Sequence, residues 1–194
     1  MKALIFAAQD GCDIVNLSLG GGPYDPIVLE SIDDARNQGM LVVIAAGSDQ
    51  RKPVSYPAAY PGATAVTALG RERTFRGTLN DGDVLRPPSS TADPLEFIAG
   101  FSNIGREVAA TGPGVGVLST LPRDRFGALS GTSMAAPVVA GAAASLLSQD
   151  GVVFGMSRSR ARSDAIEKLL GSNCVRRGFG AIYEGYGLPD PGTV

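Results

Sequence analysis

The segment Ser130-Gly131-Thr132-Ser133-Met134-Ala135-Ala136-Pro137 puts a serine where a glycine-bearing turn enters an alanine-rich apolar stretch. A hydroxyl at such an entrance can attack a carbonyl while the free N–H groups and the positive dipole end of the helix stabilise the oxyanion forming beside it. Acyl transfer is the chemistry this arrangement serves. An ordinary N-cap serine uses the same residues, so the segment alone leaves both readings open. Pro137 falls near the end of the first turn, where loss of one backbone donor is tolerable. The sequence contains no histidine. It therefore offers no imidazole as general base, no His-ligated zinc site and no histidine pH switch.

Other chemistries fit less well. Lys2, Lys52 and Lys168 are the lysines available for a Ser-Lys dyad, and none stands in an S-x-x-K spacing to Ser133. Gly131–Ala135 loosely imitates a G-x-S-x-G nucleophile elbow, but that mechanism also needs a histidine. Gly20–Gly22 lacks the G-x-G-x-x-G spacing of a dinucleotide site. Asn16-Leu17-Ser18 matches a glycosylation pattern but lies inside an apolar strand. Cys12 and Cys174 can form one bridge at most and make no CxxC pair, so the redox compartment stays open.

The elements that must position Ser133 follow from hydrophobic patterning. The 194 residues, 44% of them hydrophobic, suffice for one domain with a sizeable core. Seventeen Lys+Arg against 19 Asp+Glu argue against a nucleic-acid footprint and a polybasic membrane surface. No apolar run reaches membrane-spanning length, and the opening Lys2–Ala8 reads as a helix end, through Gln9, rather than as a signal peptide. Ile14–Leu19 is predicted as a strand ending in a Gly-Gly-Gly-Pro loop. Asp25 caps a helix with Pro26 at its first position and an apolar stripe of Ile27, Leu29, Ile32 and Ala35, stopped by Gly39. Met40–Ala46 is a continuous apolar run, the mark of a strand buried on both faces. This β-α-β unit places the loops after Leu19 and after Ala46 at one carboxyl edge of a parallel sheet, where ligands bind in open α/β folds. Ala63–Leu69 is a third strand, and Glu107–Thr120 supplies two short strands around Gly112-Pro113-Gly114. Ser133–Leu147 and Arg160–Leu170 are helices. Arg71–Gly100, rich in Pro, Asp, Ser and Thr, reads as a surface insertion.

The segment Ser130–Ala144 (SGTSMAAPVVAGAAA) resembles the nucleophile block of the subtilisin-type serine proteases, the subtilases. Asp13–Gly21 (DIVNLSLGG) resembles the family's cleft-lining strand, and Leu41–Ser48 (LVVIAAGS) the strand leading to its oxyanion position. Tyr56–Gly70, Phe101–Pro122 and Gly185–Pro191 resemble further blocks in the same order. The resemblance implies a doubly wound, mostly parallel α/β sheet with helices on both faces, as a single domain over residues 1–194 from which the N-terminal part of the family fold is missing. It implies a serine endopeptidase with Ser133 as nucleophile and an extended peptide or protein as substrate. Ser18, Leu19 and Gly20 together with Ala45, Ala46 and Gly47 would present backbone groups to that peptide as to an added strand.

The family's triad aspartate and histidine belong to segments preceding the block that matches Asp13–Gly21, so this chain is expected to be inactive alone. At the position of the family's oxyanion asparagine stands Ser48, a shorter donor. Two alternatives remain: a non-catalytic peptide-binding module, or a relative of the serine-carboxyl peptidases (sedolisins), for which Asp49 lies one residue beyond the acid position. Calcium is common in the family, but no acidic cluster in the sequence identifies a site. A sheet edge left open by the missing segment predicts self-association or pairing with a separate N-terminal half. Compartment and specificity are not written in the sequence.

Overall fold

A computed structural model of the chain describes residues 2–74, 88 and 90–192. Its centre is a five-stranded sheet. Strands β1 (Ile14–Leu17), β2 (Leu41–Ala45), β3 (Thr64–Arg71) and β5 (Val108–Pro113) run parallel, while β4 (Glu96–Ile98) pairs antiparallel with the far end of β3. The register Ile14↔Leu41 to Leu17↔Ile44 brings the ends of β1 and β2 level, so the loops after them open at one edge.

Alternation along β2 divides the core in two. Leu41, Val43 and Ala45 face α3 (Thr132–Gln149) and α5 (Arg160–Ser172), meeting Ala135, Val139, Leu146 and Ile166. Val42, Ile44 and Ala46 face the other way, onto Leu4 and Ala8 of α1 (Lys2–Gln9) and Ile32 and Ala35 of α2 (Pro26–Asn37). Helices thus cover both faces, as the doubly wound reading requires, and the uninterrupted apolar run of β2 is explained. Each Val, Leu or Ile side chain among these contributes about 1.5–3 kcal/mol on removal from water, and each alanine less. At the start of α2, Asp25 accepts a hydrogen bond from Ile27 N at 2.8 Å and Pro26 occupies the first turn, which needs no donor there.

Some details differ from the sequence reading. β1 ends at Leu17, so Ser18, Leu19 and Gly20 lie beyond the strand. Residues 75–87 and 89 of the stretch read as an insertion lie outside the described residues, and its C-terminal end supplies the buried strand β4. A hairpin of β6 (Val117–Leu121) and β7 (Arg125–Leu129) precedes α3. Short elements α4 (Gly151–Phe154), α6 (Ala181–Glu184) and the pair β8 (Cys174–Val175) and β9 (Leu188–Pro189) complete the fold. Cys12 and Cys174 are unpaired thiols; Cys12 is exposed, and burial pushes the Cys174 thiol up to about 11.

Candidate active site

The carboxyl ends of β1 and β2 and the start of α3 converge on one cleft of about 220 Å³, lined by Leu19, Gly20, Ala45, Gly47, Ser48, Thr132 and Ser133 among others. Ser133 is half-buried in the first turn of α3. Its position is fixed from both sides. Ser18 Oγ donates to the Ser133 carbonyl at 2.9 Å, and Ser133 Oγ makes a long contact, 3.4 Å, to the Ser18 carbonyl.

Most amides of the helix entrance have partners. Gly131 N donates to Gly114 O, Thr132 N to Ser48 Oγ at 3.3 Å, and Met134 N and Ala135 N both to Gly131 O. Ser133 N–H has no partner among the described residues. An N–H without a partner beside a hydroxyl, at the positive end of an 18-residue helix, is chemically suited to hold an oxygen anion.

Ser48 sits next to this donor but is already engaged. Its hydroxyl lies 3.1 Å from Thr132 Oγ1 as well as accepting from Thr132 N, and Thr132 Oγ1 also accepts from Gly47 N at 3.2 Å. Gly131, the cap residue of α3, brings no side chain to the task. Ser48 thus supplies from β2's loop the cap that α3 lacks locally. If Thr132 donates to Ser48, the Ser48 proton is left for the cleft; if Ser48 donates, none is.

The other expected peptide contacts divide. Leu19 stands exposed at the rim, and Leu19 and Gly20 also line an apolar cavity of about 270 Å³ walled by Val28, Tyr56, Pro57 and Tyr60. Ala46 is fully buried: its N–H bonds Val66 O and its carbonyl accepts from Ser55 N and Oγ, so it supports the cleft from behind. Asp49 is tied to Asn103, which donates from Nδ2 to Asp49 Oδ2 at 3.0 Å and accepts from Asp49 N at 2.9 Å. Its carboxylate is held by this pairing. Among the described residues no group of three or more Cys, Asp or Glu side chains is placed to hold a metal ion.

Thr132 and Asn103 were not singled out by the sequence. Both are buried polar side chains whose partners, backbone and side chain alike, are distant in sequence. In Phe101-Ser102-Asn103-Ile104 two residues of four are polar, so no pattern in the sequence marks Asn103 as buried.

Comparisons with known proteins fit this geometry. A family model described as the subtilase family matches residues 1–181. Subtilisin DY of Bacillus licheniformis is 35% identical over 153 residues, covering 77% of this chain and 47% of that protein. The major intracellular serine protease of Bacillus subtilis (strain 168) is 34% identical over 175 residues, covering 88% of this chain and 47% of that protein. Halolysin of Haloferax mediterranei is 35% identical over 181 residues, 93% of this chain and 30% of its own length. The chain spans about half or less of these curated relatives. Among solved structures, the prenylagaramide maturation protease PagA superposes with a TM-score of 0.71 at 23% identity, covering 98% of this chain and 63% of that one. A lanthipeptide protease gives 0.70 at 22%, covering 98% and 62%. At these identities the structural likeness speaks to the fold.

Proposed function

This chain belongs to the subtilase family, and from that premise we propose that Ser133 is the nucleophile of a serine endopeptidase reaction whose general base comes from outside these 194 residues. The observation that carries the reading is the unpartnered Ser133 N–H beside the Ser133 hydroxyl at the start of α3. An extended peptide lies along Ser18-Leu19-Gly20, with Ala45 and Gly47 lining the cleft and Ala46 supporting it from behind. Ser133 Oγ attacks the scissile carbonyl carbon, its proton passes to the base, and the oxyanion is held by Ser133 N–H. The C–N bond breaks as the base returns the proton to the leaving amine, and water then hydrolyses the acyl-serine. With no histidine in the sequence, the chain by itself contributes positioning and oxyanion stabilisation but no imidazole.

One observation favours a second reading, a non-catalytic peptide-binding module. The Ser48 hydroxyl is shared with Thr132, and where Ser48 is the donor of that pair the cleft loses one oxyanion donor, a loss that costs about 10²–10³ in rate. Treatment of the purified chain with a fluorophosphonate, with and without exogenous imidazole, separates the two. We expect no adduct without imidazole and slow labelling with it, confined to Ser133 and lost in Ser133→Ala, with circular dichroism confirming that each protein is folded. Labelling without imidazole would overturn the need for an external base. Silence under both conditions would favour the peptide-binding module.

The reading extends to partners. β1 pairs with β2 alone among the described residues, and Ile5 and Phe6 of α1 are exposed nearby in sequence. An open edge recruits another strand, so self-association or pairing with a separate chain is expected. Light scattering should show apparent mass rising with concentration; a monodisperse monomer at high concentration would argue against it.

A further inference from the structure

Pro137 stands four residues after Ser133 in α3, the position whose amide would close the helical hydrogen bond to the Ser133 carbonyl. Proline has no N–H, and its ring crowds the carbonyl one turn back. The Ser133 carbonyl is therefore excluded from the helix ladder by the sequence itself. Ser18 fills the vacancy, its hydroxyl donating to that carbonyl at 2.9 Å across 115 positions of chain. A carbonyl can only accept, so Ser18 is the donor, and Asn16 Nδ2 in turn donates to Ser18 Oγ at 3.0 Å, holding the hydroxyl from its acceptor side.

We propose that Ser18, through its side chain, is a positioning residue for the nucleophile, and that Pro137 makes this possible by freeing the Ser133 carbonyl. An intrahelical bond at this carbonyl would be indifferent to where the sheet lies. The bond from Ser18 ties the peptide unit after Ser133 directly to the end of β1, one residue before the Leu19-Gly20 rim. A single hydrogen bond thus sets the nucleophile against the edge along which a peptide would lie. The inference rests on the reading of Ser133 as nucleophile, but its test does not depend on catalysis.

The test is a double-mutant cycle of Ser18→Ala and Pro137→Ala in the full chain, read in two ways. Urea unfolding gives the folding equilibrium constant. In a parallel set carrying Ser133→Cys, iodoacetamide labelling at position 133 is followed by peptide mapping across pH, which separates it from Cys12 and Cys174. A thiol reports the environment of the helix entrance without needing a base. With Pro137 present, Ser18→Ala should lower the folding constant about threefold to tenfold. It should also move the labelling midpoint upward by roughly half a pH unit as the thiolate loses its place at the helix end. With Pro137→Ala, where a restored N–H takes the carbonyl, both effects should fall within about twofold. Ser18→Thr, which keeps the hydroxyl, should behave as the parent. Equal effects of Ser18→Ala in both backgrounds would overturn the link to Pro137, and an unmoved labelling midpoint would overturn the positioning role. Should Ser18→Ala fail to fold, folding regained with Pro137→Ala supports the proposal and continued failure overturns it.

Discussion

Replacing Glu184 by alanine should cost about 3–5 kcal/mol of stability, more than any surface change in the molecule. Glu184 is a fully buried carboxylate, 1% exposed, at the end of α6. Its Oε1 accepts from the amides of Gly178, Phe179 and Gly180 at 3.1–3.3 Å, and its Oε2 from Arg177 N at 2.6 Å. Four backbone donors converge on one side chain, and alanine would take the shared acceptor from all of them, the buried Phe179 N–H included. The same loop is fastened to the sheet: Thr67 Oγ1 donates to Tyr183 O, and Tyr186 N to Ala109 O. Glu96 beneath it forms a bidentate pair with Arg177, both contacts at 2.7 Å. Loosening the loop therefore exposes the β3–β5 side of the core as well. Glu184→Gln keeps the Oε1 acceptor but turns an amide donor toward Arg177 N, so a smaller loss of about 1–3 kcal/mol is expected. Urea unfolding of the three proteins reads both numbers. Parent-like midpoints for Glu184→Ala would show that water replaces the carboxylate without cost.

The framework of the fold was legible because its signals are local. Asp25-Pro26 followed by an apolar stripe, and the unbroken run Met40–Ala46, could hardly be other than a capped helix and a doubly buried strand. From these the parallel β1–β2 pair and its shared loop edge followed by handedness alone. The nucleophile segment was legible for the same reason: turn, serine, small residues and proline are contiguous.

What escaped the sequence reading is long-range satisfaction of polar groups. Nothing in the sequence marks Glu184, since its partners are main-chain amides and carry no side-chain signature. The strand β7 shows no clean alternation because its hairpin stands away from the core, with Leu118 and Phe126 both more than two-thirds exposed. β4 was hidden in a polar stretch, since three residues give too little periodicity to register. Ser48 could be assigned to the cleft by resemblance, yet its engagement with Thr132, 84 residues away, follows from a cap requirement that becomes visible when α3 is seen to start at a glycine.

That same requirement makes Gly47 the residue on which the cleft is most dependent. Its φ of +106° is one that a side-chain-bearing residue adopts at a cost of about 1–3 kcal/mol. A Cβ there would also lie 2.4 Å from Asn103 Nδ2 and 2.6 Å from Ser55 Oγ. Neither neighbour has freedom to withdraw. Asn103 is 1% exposed and committed to Asp49 through both ends of its amide, while its own N–H bonds the Gly47 carbonyl. Ser55 Oγ is bonded to the Ala46 carbonyl. Gly47→Ala should therefore lose about 2–5 kcal/mol, the sum of strained backbone and forced repacking. Gly21→Ala supplies the comparison: its φ is +96°, but nothing lies within 4 Å of the added carbon, so it carries the conformational cost alone. The difference between the two unfolding free energies isolates the crowding at Asn103 and Ser55. Hydrogen exchange adds the functional consequence. The Gly47 N–H bonds Thr132 Oγ1, so displacement at Gly47 should speed exchange at Gly47 itself and at Thr132, whose N–H bonds Ser48, at the very start of the helix that carries Ser133. Equal destabilisation by Gly47→Ala and Gly21→Ala, with unchanged exchange at Thr132, would mean that the cleft floor yields to the methyl group and that α3 is positioned independently of it.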